Sequence, residues 1–138
     1  MSKDFEAMAE AVETSGVQAT LGIKVLEVSA ERVVLTVPVG PPVHQPAGLL
    51  HGGVSALLAE TAASIGSGAA APEGKVIVGI ELSASHLRGM TEGVLTAVAT
   101  PIRLGRSVHV WHISLTDQDG RLICDSKCTV AVMDRPTA

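Results

Sequence analysis

The chain has 138 residues, of which 46% are hydrophobic and 17% charged, and its formal net charge at pH 7 is −4. This length is typical of one domain, and the composition is that of a globular protein rather than a disordered one. An acidic balance with no basic patch argues against binding to nucleic acids or to membrane surfaces. Phe5 and Trp111 are the only aromatic residues, which also disfavours binding of single strands by base stacking.

The N-terminal segment predicts a short amphipathic helix over residues 3–14, within a helical extension that covers residues 1–20. Four apolar residues follow the i, i+3, i+4, i+7 spacing of one helix face, with charged residues between them. These four are Phe5, Met8, Ala9 and Val12. The first residues lack the apolar core of a secretory signal, which predicts a cytoplasmic protein.

Two strands are predicted next, over residues 23–28 and 32–39, with a turn at residues 29–31 between them. In the second strand, hydrophobic residues alternate with more polar ones, which is typical of a strand with one buried face. Several prolines follow within a few residues, and they predict a loop over residues 40–50.

A buried helix is predicted over residues 49–65, because this segment is rich in alanine and leucine and is apolar on nearly every side. Gly66, Gly68 and Pro72 are expected to end it. The apolar run contains Glu60 and several serines among small residues, which argues against a transmembrane segment.

The C-terminal half predicts four consecutive strands joined by short turns, one of which contains the Asp119-Gly120 pair that favours a hairpin. The predicted strands cover residues 75–87, 93–103, 107–117 and 121–133. Short connections between consecutive strands predict an antiparallel meander. The sequence therefore indicates an α+β fold, with an antiparallel sheet wrapped around one long central helix in a single domain over residues 1–138.

Glu60 lies within the apolar helix, and no lysine or arginine occurs between residues 40 and 74 to neutralise it. Ser64, one helical turn further on, is the one neighbour on the same face that can hydrogen-bond to it. An unpaired buried carboxylate is costly. Glu60 is therefore either a glutamate at the solvent edge of the helix or a catalytic carboxylate.

His51, Gly52 and Gly53 stand at the start of the same helix. Two glycines there leave backbone N–H groups uncrowded at the positive end of the helix dipole, which suits a developing oxyanion, although a plain glycine-rich helix entry fits as well. Gly52 and Glu60 are about 12 Å apart along one helix. Two helices packed antiparallel across a two-fold axis bring both to one carbonyl, so we predict an obligate dimer with composite sites.

The remaining candidates give weaker signals. His109 and His112 point to opposite faces of one strand and cannot chelate a metal together, and no Cys/His cluster has zinc spacing. Cys124 and Cys128 are about 13 Å apart on one predicted strand, beyond the reach of a disulfide. Three arginines at strand ends or turns are either phosphate contacts or solvated turn charges. They are Arg88, Arg103 and Arg106.

After about residue 20 the chain resembles the hotdog-fold acyl-CoA thioesterases, in the phenylacetate-degradation (PaaI-like) and 4-hydroxybenzoyl-CoA thioesterase branch. Within that branch it looks most like the 1,4-dihydroxy-2-naphthoyl-CoA thioesterases. The matching segments are residues 45–53, 58–64, 78–81, 86–88 and 101–106. The sequence departs from related proteins at Ser83 and Ser85, where many carry asparagine, and at Ser107, where some carry a basic residue.

The resemblance implies hydrolysis of an aromatic acyl-CoA thioester to the free acid and CoA, without a metal or redox cofactor. Glu60 would act as nucleophile or general base, and the Gly52 N–H would polarise the carbonyl. Gln45 and His51 would orient the thioester or the water, and Ser64 would support Glu60 or the acyl ring. The substrate and CoA would be held by Gly79, His86, Leu87, Arg88, Gly89, Arg103, Leu104, Gly105, Arg106 and Ser107. Family members usually form tetramers of two dimers.

Three alternatives are open at this stage. One is a thioesterase for medium-chain acyl-CoA. Another is a hydratase or dehydratase acting on CoA or carrier esters, against which the lack of an aspartate at the helix entry argues. The third is a protein that binds acyl-CoA without turnover, which would not need Glu60.

Overall fold

The computed structural model of the chain describes residues 3–137. The helices are α1 (Lys3–Glu13), α2 (Gly16–Leu21) and α3 (Gly52–Ala70), with a short 3-10 helix at Pro41–Val43. The strands are β1 (Lys24–Val28), β2 (Val33–Val39), β3 (Lys75–His86), β4 (Gly93–Leu104), β5 (Val108–Thr116) and β6 (Leu122–Asp134). No helix in this range is long and apolar enough to cross a membrane.

The six strands form one antiparallel sheet in the order β1-β2-β4-β5-β6-β3. Helix α3 packs against every strand of this sheet. One face of α3 is fully buried, and it packs in a core with side chains of alternate residues of β5. The helix residues are Leu58, Ala59, Ala62 and Ala63, and those of β5 are Trp111, Ile113 and Leu115. The predicted α+β fold, a sheet around one central helix, is therefore confirmed.

The predicted four-strand meander is wrong for β3. Strands β4, β5 and β6 are neighbours in sequence order, but β3 pairs with β6 at the edge of the sheet. The connection over residues 87–92 crosses from that edge to β4, and on its way the amides of Leu87 and Arg88 donate to the carbonyl of Ile123 at the start of β6. Six residues span up to about 20 Å, whereas β3 and β4 are three strand positions apart, at about 4.8 Å per position. A short connection therefore does not require adjacent strands.

The predicted end of the central helix is also wrong, because α3 continues through Gly66 and Gly68 to Ala70. At Gly66 the indole ring of Trp111 occupies the space of a side chain, since a Cβ there would lie 2.4 Å from Cη2 of the ring. The indole N–H donates to Oγ of Ser67 at 2.8 Å. Gly66 therefore serves close packing rather than helix termination.

The two cysteines and one histidine, His109, are buried in the described part of the chain. Cys124 and Cys128 are free thiols in the core. Burial raises the pKa of Cys128 to about 11, and the nearby carboxylates of Glu60 and Glu81 add to this, so the thiol stays protonated and unreactive. His109 is buried against Ser67, and this burial lowers its pKa.

His112 faces the other side of the sheet, where its Nε2 lies 2.6 Å from a carboxylate oxygen of Asp125. The two histidines of β5 therefore point to opposite faces, as the strand period predicts.

Gly66→Ala and Gly68→Ala form a matched test of the packing at the end of α3. Gly66→Ala should lower the free energy of unfolding by about 1–3 kcal/mol, because the new methyl group overlaps the Trp111 ring. At Gly68 nothing lies within 4 Å of the added methyl group, so the better helix propensity of alanine should raise stability by about 0.5–1 kcal/mol. Urea unfolding followed by circular dichroism measures both. Equal effects at the two positions would contradict the packing.

Candidate functional site

Two cavities lie beside the N-terminal half of α3. The first has a volume of about 570 Å³ and is lined by Glu60 and Ser64. The second has a volume of about 410 Å³ and is lined by Gln45 and Gly52. The candidate catalytic residues that the sequence suggests are thus divided between two places on one chain.

The first cavity follows one stripe of α3, whose residues recur at helical spacing: Gly53, Ala56, Leu57, Glu60, Thr61, Ser64 and Ile65. Leu82 of β3 forms one further wall, and the N-terminal helices form the other with Val12, Val17 and Gln18. This stripe lies beside the buried face of α3, so the sheet does not cover it. The wall is mainly apolar, and its polar groups are concentrated around Glu60.

The Glu60 side chain is exposed, and its carboxylate has no hydrogen bond or ion pair with any residue between 3 and 137. It rests against Gly79, where a Cβ atom would lie 3.0 Å from Cδ of Glu60 and 3.1 Å from its Oε2. The pairing of β3 with β6 shifts register between Gly79 and Glu81. Such bulges re-aim the chain next to sites, and here the bulge brings the backbone of Gly79 under the carboxylate.

Ser64 lines the same cavity one turn beyond Glu60. The spacing on α3 allows a hydrogen bond between them, but none is present, and in the described part of the chain the Ser64 hydroxyl has no hydrogen-bond partner. Thr61, which also lines the cavity, donates its hydroxyl to the carbonyl of Leu57 at 2.7 Å. Of these two hydroxyl groups, that of Ser64 is therefore the one available to a ligand.

The helix N-terminus forms one side of the second cavity. His51 is the N-cap of α3, and its Nδ1 accepts the Gly53 N–H at 2.8 Å. The Gly52 N–H has no acceptor among the residues that the structure describes. Because this amide points out of the helix at the positive end of its dipole, it can donate to a negatively charged or polarised oxygen.

The other walls of the second cavity come from the loop before α3 and the connection after β3. The His86 ring packs directly on Gly52, where a Cβ would lie 2.8 Å from Nε2 of the histidine. Gln45 accepts the amide N–H of Ala47 through its Oε1, which leaves the NH₂ group of its side chain for a ligand. Three more residues predicted to bind substrate or CoA also line this cavity: Leu87, Arg88 and Gly89.

The last group of predicted binding residues lies elsewhere. Arg103 and Leu104 end β4, and Gly105, Arg106 and Ser107 form the turn to β5. All but Gly105 are exposed, and none of them lines either cavity. Within residues 3–137, no group of three or more His, Cys, Asp or Glu side chains is placed to hold a metal ion.

A single chain therefore does not bring its two candidate catalytic groups together. Gly52 opens into the second cavity and Glu60 into the first, and eight residues of one straight helix separate them by about 12 Å. The chemistry of each is suited to acyl transfer, since one is a free amide donor and the other an unpaired carboxylate.

Sequence reasoning missed the side of the first cavity that α1 and α2 provide. Helix α2 has only six residues, too few to show an apolar period. Leu57 and Thr61, which also line this cavity, were not predicted as site residues either, although their helical spacing on α3 is a signal that could have found them.

The family profile and the relatives described next agree on one protein family. The sequence profile of the thioesterase superfamily matches residues 47–124. The chain is 44% identical over 117 residues to 1,4-dihydroxy-2-naphthoyl-CoA hydrolase from Listeria monocytogenes, which covers 85% of this chain and 95% of the relative. It is 42% identical over 113 residues to proofreading thioesterase EntH from Cronobacter turicensis, with 82% of each chain covered.

Solved structures agree with this family. A thioesterase from Haemophilus influenzae superposes with a TM-score of 0.90 at 36% identity, over 97% of this chain and 93% of that one. A thioesterase from Pseudomonas aeruginosa, solved as a mutant, superposes with a TM-score of 0.87 at 38% identity, over 92% of each chain. The chain therefore belongs to the thioesterase superfamily and is a thioester hydrolase with the hotdog fold.

Proposed function

We propose that this thioesterase hydrolyses an aromatic acyl-CoA thioester to the free acid and CoA, with 1,4-dihydroxy-2-naphthoyl-CoA as the first candidate substrate. The observation that carries the proposal is the unpaired Glu60 carboxylate in a mainly apolar cavity. A volume of about 570 Å³ falls within the usual range for small-molecule sites. The similarity to the Listeria hydrolase supports the choice of a naphthoyl group.

In the proposed mechanism, the Gly52 N–H donates to the thioester carbonyl oxygen and stabilises the charge that grows on it. Glu60 then acts in one of two ways. It attacks the carbonyl carbon to form a mixed anhydride while CoA leaves as the thiolate, and water hydrolyses the anhydride. Alternatively it takes a proton from water as the water oxygen attacks the carbonyl carbon directly, and the C–S bond then breaks with transfer of that proton to the departing CoA thiolate. Gln45 and His51 orient the thioester or the water, and Ser64 supports Glu60 or the acyl ring.

The distance between Gly52 and Glu60 supports a homodimer with composite sites. Strand β3 is an edge of the sheet, and its Val78 and Ile80 side chains are exposed. A second copy of the chain that pairs with this edge covers it. We propose that the two-fold axis of this dimer brings the cavity with Glu60 of one protomer against the cavity with Gly52 of its partner, twice. We propose that two such dimers associate as a tetramer.

For the CoA moiety, we propose that the phosphates are held by Arg88 at the rim of the second cavity and by Arg103 and Arg106 in the β4–β5 turn. All three guanidinium groups belong to exposed residues. Arginine suits this role because its planar fork can form two hydrogen bonds with one phosphate.

Replacement of Glu60 tests the proposed chemistry. Glu60→Ala and Glu60→Gln should each lower kcat by at least about a hundredfold, because a catalytic group is lost while the apolar walls remain. The measurement is CoA release from benzoyl-, 4-hydroxybenzoyl-, phenylacetyl-, 1,4-dihydroxy-2-naphthoyl- and medium-chain acyl-CoA. Substrate binding, followed by titration, should change little in Glu60→Gln.

The panel also separates the alternatives. Turnover confined to medium-chain esters would overturn the aromatic substrate. Tight binding of an ester by wild type with no CoA release would favour a non-catalytic binding protein. Unchanged turnover in Glu60→Gln would remove Glu60 from the mechanism.

A mixing experiment tests the composite site. Gly52→Pro removes the proposed N–H donor without loss of a helix hydrogen bond, because Gly52 is the first residue of α3. Alone it should lower kcat by about a hundredfold to a thousandfold. When Gly52→Pro and Glu60→Gln are coexpressed, about half of the dimers contain one chain of each variant. Each of these mixed dimers has one of its two sites intact, so about a quarter of wild-type activity should return.

Gly52→Ala is the matched control for the mixing experiment. It introduces the same crowding against His86 but keeps the N–H, so it should retain much more activity than Gly52→Pro. A mixture of the two inactive variants that stays inactive, although mixed dimers are isolated, would contradict a site shared between protomers.

Gly79→Ala tests whether the close contact between the Glu60 carboxylate and Gly79 of β3 is needed for activity. The added methyl group lies within about 3 Å of Glu60 and should displace it, lowering kcat by about tenfold. Gly40→Ala is the control, because nothing lies within 4 Å of the methyl group there. Steady-state kinetics on the best ester of the panel measure both. Equal kcat values for Gly79→Ala and Gly40→Ala would show that Glu60 does not need this close contact.

A further inference from the structure

The N-terminal helices form the wall of the first cavity that does not come from α3 or β3. Val12 of α1 and Val17 and Gln18 of α2 line it, together with Glu60. Gln18 is half-buried, whereas Val17 is more exposed. The extension thus contributes directly to the space in which the proposed acyl group lies.

Hydrogen bonds as well as apolar contacts hold this wall in place. The Val25 N–H of β1 donates to the side-chain Oε1 of Glu13, the last residue of α1, at 2.8 Å. The Ile23 N–H donates to the Gln18 carbonyl at 3.0 Å and closes the end of α2. Gln18 is therefore held in place by its own main chain, and its side chain is not needed for this.

The Gln18 side-chain amide has no hydrogen-bond partner within the described residues. Apolar side chains that line the same cavity include Val12, Leu57, Ile65 and Leu82. A primary amide both donates and accepts hydrogen bonds, so it can pair with a hydroxyl or a carbonyl group. Among the contributions of α1 and α2 to this cavity, Gln18 is the one polar side chain.

We propose that Gln18 is a specificity-determining residue, which hydrogen-bonds to a hydroxyl or oxo substituent on the ring of the acyl group. The proposal rests on hydrolysis at Glu60 as described above. Because the reacting carbonyl lies at Glu60 on α3, the rest of the acyl group extends toward the opposite walls. Val12 and Val17 contact the ring, and an unsubstituted ring leaves the Gln18 amide without a partner, which is disfavoured.

The test compares pairs of esters that differ only in ring hydroxyl groups: 4-hydroxybenzoyl-CoA against benzoyl-CoA, and 1,4-dihydroxy-2-naphthoyl-CoA against 2-naphthoyl-CoA. Wild type should prefer the hydroxylated member of a pair by about tenfold in kcat/KM, the size of one good hydrogen bond. Gln18→Met has nearly the same length and shape but no amide. It should lose that preference, with kcat/KM for the unsubstituted ester within about threefold of wild type.

Two further variants control for damage to α2. Thr20→Leu changes an exposed residue of the same helix that does not line the cavity, and it should leave the preference intact. Gln18→Ala shortens the side chain and should abolish the preference as Gln18→Met does. Melting temperatures of all variants, measured by circular dichroism, show whether the fold is retained.

The outcomes distinguish this proposal from the proposed function. A wild-type protein that releases CoA from no ester of the panel overturns hydrolysis at Glu60 and the role of Gln18 with it. Wild-type turnover with an unchanged hydroxyl preference in both Gln18→Met and Gln18→Ala overturns only the role of Gln18. Loss of the preference in Thr20→Leu as well would assign the effect to α2 as a whole and likewise overturn it.

Discussion

A single carboxylate on the uncovered stripe of α3 is the constraint on which the site depends. The sheet covers the face of α3 that carries Leu58, Ala59 and Ala62, and burial of that face stabilises the fold. Glu60 lies beside it on a stripe that the sheet leaves open, so folding does not bury an unpaired carboxylate, which would be costly. The same stripe becomes the floor of an apolar cavity once α1 and α2 pack over it.

Close approach at three glycines gives this site its shape. The Trp111 ring contacts α3 at Gly66, the Glu60 carboxylate contacts β3 at Gly79, and the His86 ring contacts the helix start at Gly52. In each case a Cβ would lie 3.0 Å or less from a ring or carboxyl atom of its neighbour. The contact of Trp111 with Gly66 sets how closely α3 packs against the sheet. The contacts at Gly79 and Gly52 involve the carboxylate and the helix start that are proposed to act on the thioester. The position of α3 therefore determines both how the core packs and where Gly52 and Glu60 lie.

The sequence predicts the fold well where local pattern decides and poorly where contacts between distant residues decide. Alternating strands, the apolar helix and the Asp-Gly turn are local signals. The strands appear within a residue or two of the expected bounds, whereas the helix covers Gly52–Ala70 rather than residues 49–65. The place of β3 at the sheet edge is set by a crossover over Ile123, which strand order alone does not reveal. Gly66 resembles a helix end in sequence because its reason, the Trp111 ring, lies 45 residues away. The wall around Gln18 was missed for the same reason, whereas Glu60, Gly52 and Ser64 could be named from motif and spacing, and their roles remain proposals.

The central claim is that one thioester is held between two protomers, by Gly52 of one and Glu60 of the other. The most direct measurement is a crystal structure of Glu60→Gln with a non-hydrolysable acyl-CoA analogue that retains the carbonyl group. We expect the carbonyl oxygen about 3 Å from the Gly52 nitrogen of one protomer, with the side chain at position 60 of its partner in contact with the carbonyl carbon. A carbonyl held by both residues of the same protomer, or by neither, would contradict it.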